Sequence, residues 1–235
     1  VSTELITEGG DPASAGTTAA TRTPLRTVVF DLDGVLVDSF GVMREAFALA
    51  YREVVGDGEP PFEEYSTHLG RYFPDIMNMM GLPLEMEEPF VRESYRLAHR
   101  VRLFDGVTEM LEALNARGIR FAIATGKSGP RARSLLEGLG VLPLFEHVIG
   151  SDEVEHPKPA PDIVLRALEL LGADKEGAVM IGDAVTDLAS ARAAGVEAVA
   201  ALWGESDPEP LLDAAPDAAM ESPADFLAWC LEAAT

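Results

Sequence analysis

Cysteine is nearly absent from this chain of 235 residues: Cys230 is the only one. No intrachain disulfide can form, and a reducing compartment suits that usage. Lysine is almost as scarce, with Lys127, Lys158 and Lys175 making up the whole set. Lysine and arginine together number 18 against 40 aspartates and glutamates, for a formal charge of −22. Such an acidic surface repels nucleic acid and anionic membranes, so neither is expected as a partner. No apolar run approaches the ~20 residues of a membrane helix. The first residues lack the basic stretch followed by an apolar one that marks a secretory signal. The expected setting is cytoplasmic, and the expected assembly a monomer or homodimer.

What is present is a globular composition, 47% hydrophobic and 25% charged, long enough for one α/β domain with a modest insertion. Residues 1–24 are rich in Ser, Thr, Gly and Ala without periodicity and read as a disordered tail. Strand-like runs follow at Thr27 to Phe30, Ile119 to Ala124, His147 to Ile149, Ala178 to Ile181, Val196 to Ala201 and Asp217 to Met220. They are apolar on both faces, as in a buried parallel sheet. Between them Val107, Met110, Leu111 and Leu114 recur at helical spacing, as do Val164, Ala167, Leu168 and Leu171. Gly118 and Gly172 stand where helix ends favour a left-handed residue. Ser222-Pro223-Ala224-Asp225 reads as a cap, a proline in the first turn and an acid behind it. The alternation predicts a doubly wound α/β core of Rossmann type, with its ligand at the carboxyl ends of the strands.

The alternation breaks between Phe40 and about Leu103. That stretch shows no strand, only helical segments near 41–55, 62–69, 73–80 and 86–101, separated by Gly56, Gly58, Pro60-Pro61, Gly81 and Pro83. The expected organisation is a core of 25–39 and 104–235 with an all-helical cap of 40–103 inserted after the first strand.

Polar residues gather at the carboxyl ends of the expected strands. The first ends in Asp31-Leu32-Asp33-Gly34, the second in Thr125-Gly126, and the fourth in Gly182-Asp183 with Asp187 four residues on; Lys158 lies in a proline-rich loop after the third. A parallel sheet brings these ends to one rim. Acids so gathered repel one another unless a cation neutralises them, and oxygen-only ligands suit a hard ion such as Mg²⁺. Lys158 opposite that metal leaves a place between them for a phosphoryl group. Gly34 and Gly126 allow the backbone to come close to an anion. Singly, each feature has a plainer reading: a turn, a strand-end hydroxyl, a loop lysine, a helix cap. Their joint order along the chain favours chemistry.

Two look-alikes are excluded. Asp-x-Asp-Gly here is no EF-hand loop, because its Gly comes two positions early and Val42 stands where a bidentate Glu is needed. Gly126-Lys127-Ser128 imitates the end of a P-loop, but Phe121 replaces the required first glycine, and Gly129-Pro130 is expected to disturb the helix that must follow. His147 and His156 are too isolated for a metal cluster.

With these residues in hand, the chain resembles the haloacid dehalogenase-like phosphatases. Asp31-Leu32-Asp33-Gly34-Val35-Leu36-Val37-Asp38-Ser39 is similar to their first signature, Thr125 to the second, Lys158 with Pro159 and Pro161-Asp162 to the third, and Gly182-Asp183 with Asp187 to the fourth. The resemblance spans residue 27 to about 200, and the helical cap between the first two signatures resembles the phosphoglycolate phosphatase-like branch. It implies hydrolysis of a small-molecule phosphate ester, with Asp31 as nucleophile and Asp33 as general acid and base. It implies Mg²⁺ on the Asp31 carboxylate, the Asp33 carbonyl oxygen and Asp183, with Asp187 orienting metal-bound water and Lys158 from behind. Thr125, Gly126 and Lys158 would hold the phosphoryl group. A narrower resemblance lies in Phe62-Glu63-Glu64-Tyr65 and His68 to Met77, which look like the phosphatases linked to 3-amino-5-hydroxybenzoate, a starter of ansamycin and mitomycin antibiotics. It implies an amino-sugar phosphate or related substrate and makes Gly70 and Arg71 the cap residues that face the site. The rival functions are a phosphoglycolate phosphatase, a hexose-phosphate phosphomutase on the same core, a receiver-like phospho-aspartate module, which needs no general acid or cap, and a binding protein without turnover.

Overall fold

Every residue from Thr27 to Phe30 is buried, so this strand must be covered on both faces. A computed structural model, which describes residues 23–204 and 207–234, shows how. The tail expected over residues 1–24 lies, except for Thr23 and Pro24, outside the described residues. In chain order the strands are β1 (Thr27–Phe30), β2 (Val37–Asp38), β3 (Arg102–Leu103), β4 (Arg120–Thr125), β5 (His147–Gly150), β6 (Ala178–Gly182), β7 (Glu197–Ala201) and β8 (Ala218–Met220). The helices are α1 (Phe40–Val54), α2 (Phe62–Ser66), α3 (Phe73–Met80), α4 (Glu87–Leu97), α5 (Val107–Ala116), α6 (Gly129–Gly138), α7 (Asp162–Leu171), α8 (Val185–Ala194), α9 (Pro208–Asp213) and α10 (Pro223–Ala233).

Six strands form one parallel sheet in the order β5-β4-β1-β6-β7-β8. The chain winds outward from β1 in one direction and then returns to wind outward in the other. The reversal beside β1 is the crevice where an α/β sheet binds its ligand. Alternate residues of the strands feed two cores. Val28, Phe30, Phe121, Ile123, Val179 and Ile181 face α5, α6 and α10. Val29, Ala122, Ala124, Met180 and Ala198 face α7 and α8. The spaced apolar residues expected for α5 and α7 are buried, and Gly172 ends α7 with φ +57°. Ser222 caps α10, its hydroxyl accepting from the Asp225 N–H at 3.1 Å.

The insertion holds α1 to α4 and has an aromatic core of its own. Phe47, Phe62, Tyr65, Phe73 and Phe90 are buried together, with Phe73 and Phe90 stacked at 4.2 Å between ring centroids. Helix α2 stops at Ser66, short of the expected 69; the Ser66 and Thr67 hydroxyls bond back to the carbonyls of Glu63 and Glu64, which favours a turn there. The expectation of no strand before about Leu103 needs correcting. Val37 and Asp38 pair antiparallel with Leu103 and Arg102, tying together the two chain crossings into the insertion. A two-residue strand is too short to carry an alternation in sequence. A second correction concerns Gly129-Pro130. A helix does begin there, because proline in the first turn lacks only an N–H that has no intrahelical acceptor anyway.

Phe30 meets Phe121, Phe145 and Phe226 edge to face, at 5.9, 6.3 and 5.9 Å between centroids. Phe30→Ala should therefore remove about 3–5 kcal/mol of stability, seen as a lower urea midpoint with little change in the slope of the transition.

Candidate active site

The ladder continues one residue past β1, where the Asp31 N–H donates to the Ile181 carbonyl at 2.9 Å. This holds Asp31 at the sheet's carboxyl edge beside the end of β6. The loop 31–39 then folds back on itself, with the Gly34 N–H on the Val37 carbonyl at 3.0 Å. Lys158 reaches the same edge from the loop after β5 and is only 2% exposed. Its ammonium has three donors and three acceptors: Asp31 Oδ1 at 2.8 Å, Asp187 Oδ1 at 2.6 Å and the Ala124 carbonyl at 3.1 Å. The other Asp187 oxygen accepts the Ala184 N–H at 3.0 Å at the start of α8. Asp187 is thus both a helix cap and a partner of the buried lysine.

Asp31, Asp183 and Asp187 each offer an oxygen, and these lie within 4.8 Å of one another, all buried. With Lys158 the formal charge of the group is two units negative, which one divalent cation would balance. The donors are all hard oxygens, so the set fits such an ion. Without it, burial together with the charges of Asp187 and Asp33 outweighs the pull of Lys158, and the Asp31 carboxyl is pushed up to about 7. Burial disfavours the Lys158 charge, yet Asp187 and Asp31 more than compensate and hold it strongly protonated. A Cβ on Gly34 would stand 1.9 Å from Asp183 Oδ2, and Gly34 has φ +78°. Only glycine fits where that carboxylate crosses the loop.

Asp33 belongs to a second cluster. Its Oδ1 accepts from Ser39 Oγ at 2.5 Å, and its Oδ2 lies 3.0 Å from Lys127 Nζ. Burial opposes its ionisation, but Lys127, Ser39 and Arg131 overcome that and hold the carboxyl below the usual range. Burial also lowers the Lys127 ammonium, against the attraction of Asp33. Thr125, at the end of β4, is 1% exposed; its carbonyl accepts from Ser151 Oγ at 3.1 Å.

A cavity of about 100 Å³ opens over both clusters, several times what one water requires. The core lines it with Asp31, Asp33, Thr125, Gly126, Lys127 and Arg131, and the insertion adds Tyr65, Gly70, Arg71 and Phe90. Asp183 is on its wall, while Lys158 and Asp187 lie behind it. The segment carrying Gly70 and Arg71 sits directly on the core. A Cβ on Gly126 would meet the Gly70 carbonyl oxygen at 2.7 Å and that of Arg71 at 2.9 Å; one on Gly70 would meet Thr186 Oγ1 at 2.4 Å. Among the described residues, Thr186 Oγ1 is the buried side-chain polar atom with no hydrogen-bond partner.

The structure therefore brings Asp31, Asp33, Thr125, Gly126, Lys158, Asp183, Asp187, Gly70 and Arg71 to one place. It adds four side chains that sequence reasoning missed: Ser39, Tyr65, Lys127 and Arg131. Lys127 was discarded with the false P-loop, although it stands two residues beyond a strand-end threonine in a chain with three lysines. His156 bonds Asp162 in the open, away from the site.

Fold and site define an α/β protein with buried carboxylates and a lysine gathered at the strand ends. Residues 25–195 match the family described as haloacid dehalogenase-like hydrolase, and the chain belongs to it. It is a hydrolase of the phosphatase kind. It is 33% identical to the "Probable phosphatase IndB" of Dickeya dadantii over 216 residues, covering 83% of this chain and 89% of that one. It is 31% identical to the pyrophosphatase PpaX of Listeria monocytogenes over 209 residues, covering 87% and 95%. The crystal structure of a "predicted phosphoglycolate phosphatase" from Haemophilus somnus shares the fold, with a TM-score of 0.74 at 23% identity over 87% of this chain and 97% of that one. Among the described residues no helix is long and apolar enough to cross a membrane.

The contact at Gly126 can be tested without backbone strain. Gly126→Ala should keep the insertion from seating and lower kcat/KM on an aryl phosphate about tenfold to hundredfold, while the melting temperature moves by only a few degrees. Unchanged kcat/KM would mean that the contact is not needed for turnover.

Proposed function

We propose that this protein is a Mg²⁺-dependent phosphatase of small-molecule phosphate monoesters, acting through an aspartyl-phosphate on Asp31. The observation that carries this reading is the buried Lys158 held between Asp31 and Asp187 beside Asp183, three buried carboxylates gathered around one ammonium. Asp31 and Asp183, with the Asp33 carbonyl oxygen, would hold the cation, and Asp187 would orient Lys158 and the ligands from behind. A cation held there would supply the positive charge that counters the burial and repulsion raising the Asp31 carboxyl, and would draw charge from the phosphoryl oxygens.

The chain's own residues then have distinct tasks. Asp31 attacks phosphorus as its ester bond to the leaving oxygen breaks. Asp33 gives that oxygen a proton, and later takes one from the water that splits the acyl phosphate. Burial opposes its charge, but Lys127, Ser39 and Arg131 hold its carboxyl below the usual range, which favours the base form that the second step uses. Thr125 and Gly126, which line the cavity, hold the transferring group, and Lys158, bonded to Asp31 from behind, supplies its positive charge there. Residues 40–103 act as a cap over a core of 25–39 and 104–235; they exclude water and select the leaving group, with Gly70 and Arg71 nearest the core. The resemblance of the cap to phosphatases of 3-amino-5-hydroxybenzoate synthesis puts amino-sugar phosphates among the substrates to assay, beside phosphoglycolate.

Exhaustive chelation should abolish phosphate release and Mg²⁺ should restore it, whereas Ca²⁺, with its looser and larger coordination shell, should restore little. Full activity after chelation would sink the metal assignment.

The two signature aspartates should fail differently. Rapid-quench labelling should find no phosphoenzyme in Asp31→Asn. In Asp33→Asn, a substrate with a good leaving group should label the protein and the label should persist. Equal labelling of both variants contradicts these roles.

A further inference from the structure

The cavity holds cations that the chemistry above does not use. Lys127 is engaged by Asp33, but Arg71 and Arg131 line the same cavity and form no ion pair among the described residues. In a chain with 18 basic residues and a net charge of −22, two unpaired arginines at one enclosed place need a reason. Arg131 is the better placed of the two. It sits in the first turn of α6, on the core side, with its Cζ 5.1 Å from the centroid of the Phe90 ring in the insertion. A ring offers the guanidinium no oxygen acceptor, so its N–H donors stay available to a ligand in the cavity. Arg131 and Asp33, the proposed proton donor, line the same cavity. Tyr65 itself is 3% exposed, lines the cavity, and its hydroxyl makes no hydrogen bond among the described residues.

We propose that Arg131, backed by Lys127 and seated on Phe90, binds an anionic group carried by the leaving group of the substrate, a carboxylate or a second phosphate. The site therefore selects phosphate esters with two separate anions over those whose leaving group is neutral. This rests on the phosphatase reading and deepens it. An arginine fork matches either oxyanion with two parallel N–H donors, which a neutral alcohol cannot engage. The alternative role for Arg131, joining α6 to the insertion through Phe90 alone, predicts no dependence on substrate charge.

The test compares esters with short leaving groups: phosphoglycolate, ethylene glycol bisphosphate, ethyl phosphate and phosphoethanolamine. In the wild-type enzyme, kcat/KM for at least one dianionic member should exceed that for ethyl phosphate by about tenfold or more, with phosphoethanolamine lowest. Which of the first two leads tells carboxylate from phosphate. Arg131→Met keeps an apolar side chain on Phe90 and should reduce the ratio of anionic to neutral ester at least tenfold; Arg131→Lys should retain part of it. A wild-type enzyme without the preference, or a ratio unchanged in Arg131→Met, overturns the proposal while leaving the phosphatase reading intact. Calorimetric binding of phosphonoacetate against ethylphosphonate separates the opposite case. Tighter binding of phosphonoacetate that is lost in Arg131→Met, in a protein that turns over no ester, would uphold the anion site and end the phosphatase reading. Equal binding of the two phosphonates by the wild-type protein would overturn the anion site.

Discussion

The architecture of the site depends on one buried ammonium. Lys158 is enclosed by protein, and all three of its protons are committed, two to carboxylates and one to a strand-end carbonyl. A buried charge is tolerated only when paired and hydrogen-bonded in this way. The requirement reaches far along the chain. Asp31 must end β1, Ala124 must be near the end of β4, and Asp187 must stand in the first turn of α8, so three elements distant in sequence are held to a common edge. Removing any one acceptor would strand a charge in the core. The loop after β5 is therefore fixed by electrostatics as much as by packing.

A parallel sheet is the frame that can meet this demand. Its strands point the same way, so each delivers its last residue to the same rim, and the winding reversal beside β1 leaves room there. The apolar residues on both strand faces have a second consequence. They bury the floor of the site and lower its effective dielectric, which is why the Asp31 carboxyl is pushed up while the Lys158 ammonium is held on. The same floor that stabilises the fold makes the carboxylates seek a cation.

How much of this was legible in sequence follows from how local each signal is. The strands and α5 and α7 could be read because burial on two faces, or at helical spacing, leaves a pattern within a few residues. The strand-end acids could be read because each directly follows its strand. The β2–β3 pair could not: two residues hold no pattern, and their partners lie some sixty positions apart. Helix α6 was hidden by a Gly-Pro pair taken as a breaker when it was a start. Lys127 and Arg131 were missed for a related reason, since their meaning comes from what stands across the cavity. Arg131 reads as an ordinary surface arginine until Phe90, from the insertion, is placed above it. The role of Gly126 differs in the same way. Sequence reasoning gave it the task of approaching an anion, and in the structure the space over it also admits the backbone of Gly70 and Arg71.

These nonlocal contacts share a logic. The insertion touches the core through glycine-on-backbone packing at Gly126 and Gly70, through the short β2–β3 ladder, and through a cation resting on an aromatic ring. Apolar side chains meet there too, with Val101 buried in the core of the sheet and Val42 and Ala98 packed against it, while the aromatic cluster is buried within the insertion. A unit with its own core can separate from the sheet while its own packing stays intact. Thr186 Oγ1, left without a partner beneath Gly70, would regain one from water on such a separation, which weakens the contact further. The fold thus divides its energetics. The sheet is tied to its buried lysine, whose charge would be stranded otherwise, whereas the helical unit keeps its own aromatic core and meets the sheet through backbone and ring contacts as well.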